Sequence, residues 1–115
     1  MLKILLEMWK YRVSEATDGI EAVSLAKKIH PDLILMDVKL PKIDGFEATR
    51  RIRESEIISR VPIVILSACA EMIYRRSAAL AGADEYLVKP LDFELLEITL
   101  EKYVCRQQTI SRGNP

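Results

Sequence analysis

The chain predicts an α/β fold, a parallel sheet with helices on both faces, on three observations. Residues 33–36 and 61–66 are apolar without interruption, as strands covered on both sides must be. Strand-like and helix-like periodicities alternate along the whole sequence. Three of the strands finish on polar groups, Asp37, Ser67 and Lys89, at the edge where open parallel sheets gather their ligands.

In chain order, Leu2, Leu5, Leu6 and Trp9 stand at i, i+3, i+4 and i+7, a helical stripe with Lys3, Glu7 and Lys10 outside it. Residues 11–16 alternate apolar and polar and predict a strand with one wet side. After the turn Thr17-Asp18-Gly19, Asp18 caps a helix and Glu21 returns the hydrogen bond. That helix presents Ala22, Leu25, Ala26 and Ile29 and ends before Pro31, and the strand to Asp37 follows. Turns at Pro41 and Asp44-Gly45 lead to a third helix, with Glu47 at the reciprocal capping position. Its predicted buried face is Phe46, Thr49, Ile52 and the stem of Arg53.

Residues 61–67 form the second fully apolar strand, closed by the hydroxyl of Ser67. A helix over 71–81 stops at Gly82, which suits the left-handed residue after a helix end. Residues 84–88 give a short strand before Lys89-Pro90, and Asp92 opens a last helix through Leu95, Leu96, Thr99, Leu100 and Tyr103. Residues 1–105 are thus expected to make one domain, with 106–115 as a polar C-terminal tail.

Composition narrows the function classes. Lys plus Arg equals Asp plus Glu at 17 each, so no basic excess points to nucleic acid. No apolar run approaches the roughly 18 residues of a membrane span, and the N-terminus lacks the pattern of a signal peptide. Cys69 and Cys105 have neither metal-ligand spacing nor the density of a disulfide scaffold. A cytoplasmic protein that touches neither nucleic acid nor membrane is expected.

An acid, a hydroxyl and an ammonium on one sheet edge admit two chemistries. Asp37, Ser67 and Lys89 could form a plain ion pair with a hydrogen bond. They could equally serve phosphoryl transfer, with Asp37 attacking, Lys89 pairing with the new charge and Ser67 donating to a phosphate oxygen. Spacing alone leaves both open.

Four stretches carry a family resemblance: residues 32–37, Leu40-Pro41 with Asp44-Gly45, residues 62–68, and residues 81–90. Together they resemble the receiver domain of two-component response regulators, chemotaxis regulators among them. The resemblance implies a flavodoxin-like doubly wound parallel sheet of strand order 2-1-3-4-5, a relation the general rule for such folds already names. It implies that Asp37 takes a phosphoryl group from a histidine kinase or phosphotransfer protein, with Ser67 and Lys89 as its partners. It further implies Tyr86 as the switch aromatic, a cis Lys89-Pro90 peptide, and the Lys39 backbone carbonyl beside Asp37 as a ligand for Mg2+. The expected role is signal relay to a downstream protein partner, not enzymatic turnover.

The chain departs from the family at its start, which falls inside the helix that follows the usual first strand. That strand and the two adjacent acids that hold Mg2+ are therefore expected to be missing, as in an N-terminally truncated copy. One carboxylate and one carbonyl make an incomplete metal site, so poor phosphorylation is expected. Four or five lost core side chains would remove on the order of 10 kcal/mol. The remedies are a four-stranded sheet that closes up, a homodimer that shares elements, residues 1–6 acting as a strand, or a longer natural reading frame. Two other functions compete. A pseudo-receiver would use the same face without phosphate. A phosphatase of the haloacid type would need a second Asp where this chain has Lys39.

Overall fold

The computed structural model describes residues 2–107, so residues 108–115 of the expected tail lie outside it. The elements are α1 (Leu2–Met8), α2 (Gly19–Ile29), β1 (Ile34–Asp37), α3 (Gly45–Glu54), β2 (Ile63–Ser67), α4 (Met72–Ala81), β3 (Glu85–Val88) and α5 (Phe93–Gln107). The strands pair in parallel in the order β1-β2-β3.

β2 is central, and all five of its residues are buried. Successive side chains of a strand face opposite ways, so β2 divides the interior into two cores. Ile63 and Ile65 join Met36 and Val38 against Val23 and Ala26 of α2, Ala48 and Ile52 of α3 and Ala78 of α4. Val64 and Leu66 join Leu87 against Leu6 of α1 and Leu96 and Leu100 of α5. Burying the four aliphatic side chains of β2 contributes on the order of 10 kcal/mol, comparable to the net stability of a whole domain.

Local chemistry ends the helices where the sequence predicts. Asp18, Asp44 and Asp92 accept from the backbone N–H of Glu21 (2.7 Å), Glu47 (2.8 Å) and Leu95 (3.1 Å). Gly82 closes α4 at φ 108°, and its N–H returns to Ala78 and Ala79. The reciprocal halves of the capping boxes differ from expectation. Glu21 reaches Thr17 instead, and Glu47 is taken by Arg50 and Arg51. Guanidinium groups three and four residues on outcompete a backbone N–H for a solvent-facing carboxylate.

Several expectations need correction. Residues 11–16 form no strand, so the sheet has three members among the described residues and has not closed up into four. β1 bonds β2 on one side only, and the Tyr11 N–H turns back to the Leu6 carbonyl instead of a ladder. The alternation still reports half-burial, because Tyr11 and Val13 pack against the core of Leu6, Val64, Leu66 and Leu96. Residues 2–6 are helical, not a strand. Ile29 and Leu95 are exposed, while Val23 of α2 and Val104 of α5 are buried. No helix among the described residues is long and apolar enough to cross a membrane.

Thr49 offers a first test. Its side chain is fully buried and its hydroxyl has no partner among the described residues. An unpaired buried hydroxyl costs about 1–3 kcal/mol. Thr49→Val is therefore expected to raise stability by about 1 kcal/mol in urea denaturation; a loss would show that the hydroxyl has a partner.

Candidate functional site at the carboxyl edge of the sheet

β1 delivers Asp37 to the carboxyl edge of the sheet, and the chain running out of β3 delivers Lys89. The Lys89 ammonium donates to Asp37 Oδ1, and both side chains are 43% exposed, so the pair is open to a reagent from solvent. The ladder continues past the strands through Val38 N–H to the Leu66 carbonyl (3.2 Å) and Lys89 N–H to the Ser67 carbonyl (2.8 Å). These bonds fix how far each strand end projects.

The register explains which groups meet. Asp37 lies opposite Leu66, and Ser67 lies opposite Val88. Asp37 therefore shares the face of Leu35 and Leu66, and Lys89 shares that of Leu87. Ser67 is one step out of phase, on the face of Ile63 and Ile65. Its hydroxyl is buried there and accepts from the Cys69 N–H (3.0 Å), with no bond to Asp37. Tyr86 lies on that same face and donates its phenol to the Cys69 carbonyl. One residue, Cys69, thus touches both side chains, Ser67 at its N–H and Tyr86 at its carbonyl.

The segment after Asp37 is clamped at both ends. At the far end, Gly45 N–H donates to the Val38 carbonyl (2.8 Å). At the α2 side, Gly19 N–H donates to the Pro41 carbonyl (3.1 Å), and Lys42 pairs with Asp18 (3.3 Å). Lys42 holds a left-handed backbone at φ 72°, uncommon for a residue with a side chain. The Glu21 N–H capped by Asp18, helped by Lys42, holds the Asp18 carboxyl below its ordinary range. Lys89-Pro90 is cis, as the resemblance implies.

The donors do not by themselves fit Mg2+, which takes six oxygens in near-octahedral geometry. Asp37 brings one carboxylate, already in contact with Lys89, and Lys39 can add its backbone carbonyl. Among the described residues no three His, Cys, Asp or Glu side chains could together hold a metal ion.

Sequence reading placed the stem of Arg53 on the buried face of α3 but missed its hydrogen-bond network, and it missed Arg75 and Lys42 as supporting side chains. Arg53 ties α3 to Gly82, Ser59, Val61 and Asp84. Arg75 lies 5.0 Å from the centre of the Tyr86 ring. None of these interactions has a local signal, since Gly82, Asp84, Tyr86 and Asp18 are all brought to their partners by tertiary contact.

The family described as response regulator receiver domain matches residues 1–101. The chain is 40% identical over 94 residues to the DNA-binding dual master transcriptional regulator RpaA of Synechocystis, covering 82% of this chain and 39% of that protein. It is 30% identical over 104 residues to the polar-differentiation response regulator DivK of Brucella ovis, covering 90% and 85%. It spans less than half the length of the transcriptional regulators RpaA, ycf27 of Porphyridium aerugineum and TrcR of Mycobacterium tuberculosis. Among solved structures it superposes on the receiver domain of the sensor histidine kinase PA1611 from Pseudomonas aeruginosa with TM-score 0.84 and 39% identity, over 90% of this chain and 85% of that one. That receiver was solved with a magnesium ion coordinated in its active-site cleft. The chemotaxis protein CheY4 of Vibrio cholerae gives TM-score 0.83 at 32% identity, over 90% and 86%.

Proposed function

The chain belongs to the response regulator receiver family, and on that premise we propose that Asp37 accepts a phosphoryl group from a histidine kinase or phosphotransfer protein. The supporting observation is the Lys89 ammonium seated on an exposed Asp37 carboxylate at the carboxyl edge of the sheet. An Asp37 oxygen attacks phosphorus as the donor's P–N bond breaks and its electrons return to the imidazole. Lys89 stays with the transferred charge, an electrostatic role that needs the cation in place beforehand. Ser67 leaves the Cys69 N–H to donate to a phosphate oxygen, and Tyr86 responds because it bonds the carbonyl of the same residue. The product is a charged surface that a downstream protein reads. In this reading residues 1–105 are the receiver unit, acting in the cytoplasm as a regulatory module without turnover.

The donor set predicts slow transfer, because the incoming phosphoryl charge meets Lys89 without a completed metal shell. The 115-residue protein, incubated with acetyl phosphate and MgCl2 and weighed intact, is expected to gain one phosphoryl group on a minor fraction of molecules. Asp37→Asn is expected to gain none. An adduct of equal size in that variant, or none in the wild type at any donor concentration, would remove Asp37 from the role. Stoichiometric labelling of the wild type would instead refute the metal argument.

A further inference from the structure

Arg75 stands on α4 with its side chain exposed, so burial gives no reason for its orientation. Its guanidinium carbon nevertheless lies 5.0 Å from the centroid of the Tyr86 ring, within the distance at which a cation is held by an aromatic face. Its Nε also makes a long contact to the Ala70 carbonyl (3.4 Å). One side chain therefore touches both the ring of Tyr86 and the loop residue next to Cys69, whose carbonyl receives the Tyr86 phenol.

We propose that Arg75 is a positioning residue that holds Tyr86 turned inward, against the Cys69 carbonyl, before any phosphoryl group arrives. Three contacts then act on one rotamer. The phenol is bonded to Cys69, the ring lies under the guanidinium, and the loop carrying Cys69 is tied to the same guanidinium through Ala70. Turning the ring outward breaks the first two together. Ser67 is coupled to this arrangement through the Cys69 N–H, so α4 biases the hydroxyl that is to meet phosphate.

The inference deepens the reading of Tyr86 as the switch, and its test needs no phosphate, so it stands apart from whether Asp37 is labelled. Protein carrying fluorotyrosine is observed by fluorine NMR, with Tyr86 assigned by Tyr86→Phe and a soluble paramagnetic chelate reporting access to solvent. The wild type is expected to show a shielded Tyr86. Arg75→Met is expected to raise the ratio of outward to inward ring about two- to fivefold, the worth of an exposed cation–π contact. Arg75→Lys is expected to restore part of the shielding, and Arg76→Met, one residue along, to change nothing. Tyr103 on α5 serves as the internal reference. An unchanged Tyr86 in Arg75→Met, an equal change in Arg76→Met, or parallel exposure of Tyr103 would each overturn the assignment.

Discussion

Arg53→Met is expected to lower folding stability by about 2–4 kcal/mol in urea denaturation, a large share of a small domain's total. The guanidinium donates to the carbonyls of Gly82 (2.8 Å), Ser59 (3.1 Å) and Val61 (2.6 Å) and to the Asp84 carboxylate (2.8 Å). Asp84 also accepts from Ile63 N–H (2.9 Å), so the network binds the start of β2 to the chain entering β3. The Arg53 side chain is 21% exposed and Asp84 38%, which places the pair between two limits. An exposed ion pair contributes about 0–1 kcal/mol, whereas breaking a buried one costs about 3–5. The three carbonyls that lose the same donor are part of that cost, since each hydrogen bond is worth about 1 kcal/mol at most where water can take its place. Arg53→Lys should recover little, because one ammonium cannot span four acceptors. A loss below about 1 kcal/mol would show that water replaces the guanidinium freely.

The sequence made visible whatever depends on neighbours along the chain. The three aspartate caps, the glycine that closes α4, and the unbroken apolarity of β2 were all legible for that reason. Arg53 and Asp84, 31 positions apart, were not, because no periodicity links a helix side chain to a loop carboxylate. The strand expected over residues 11–16 failed on pairing, not on pattern. Tyr11 and Val13 face the core as alternation requires, but a ladder needs a partner strand, which lies outside what a single segment can report. Ser67 illustrates the same limit at the site. Three polar strand ends were readable; that one of them points to the opposite face follows only from register. The resemblance to receivers groups these residues as a set, yet the phase of each within the sheet decides which can touch Asp37 without movement.

Phase also governs how closely α3 approaches the acceptor, and Gly45→Ala is the change that tests it. A Cβ built on Gly45 would lie 2.1 Å from the Asp37 carbonyl oxygen, 2.9 Å from its carbon and 3.0 Å from the Val38 Cα. All three atoms are backbone, so no side-chain rotation relieves the clash. Either α3 withdraws and loses the 2.8 Å bond from Gly45 N–H to the Val38 carbonyl, or the end of β1 shifts and carries Asp37 off Lys89. Overpacking typically costs about 1–3 kcal/mol, and a clash confined to main chain belongs at the upper end. Gly45→Ala is therefore expected to lose about 3 kcal/mol in urea denaturation. It should also lose labelling by acetyl phosphate even where the variant is fully folded, because the acceptor's geometry is disturbed directly. Arg53→Met supplies the contrast, since its network lies at the opposite end of the strands from Asp37. In conditions where both variants are folded, Arg53→Met should label as the wild type does. Equal labelling of the two would mean that the glycine matters to the fold alone and that the close approach of α3 does not hold Asp37 in place.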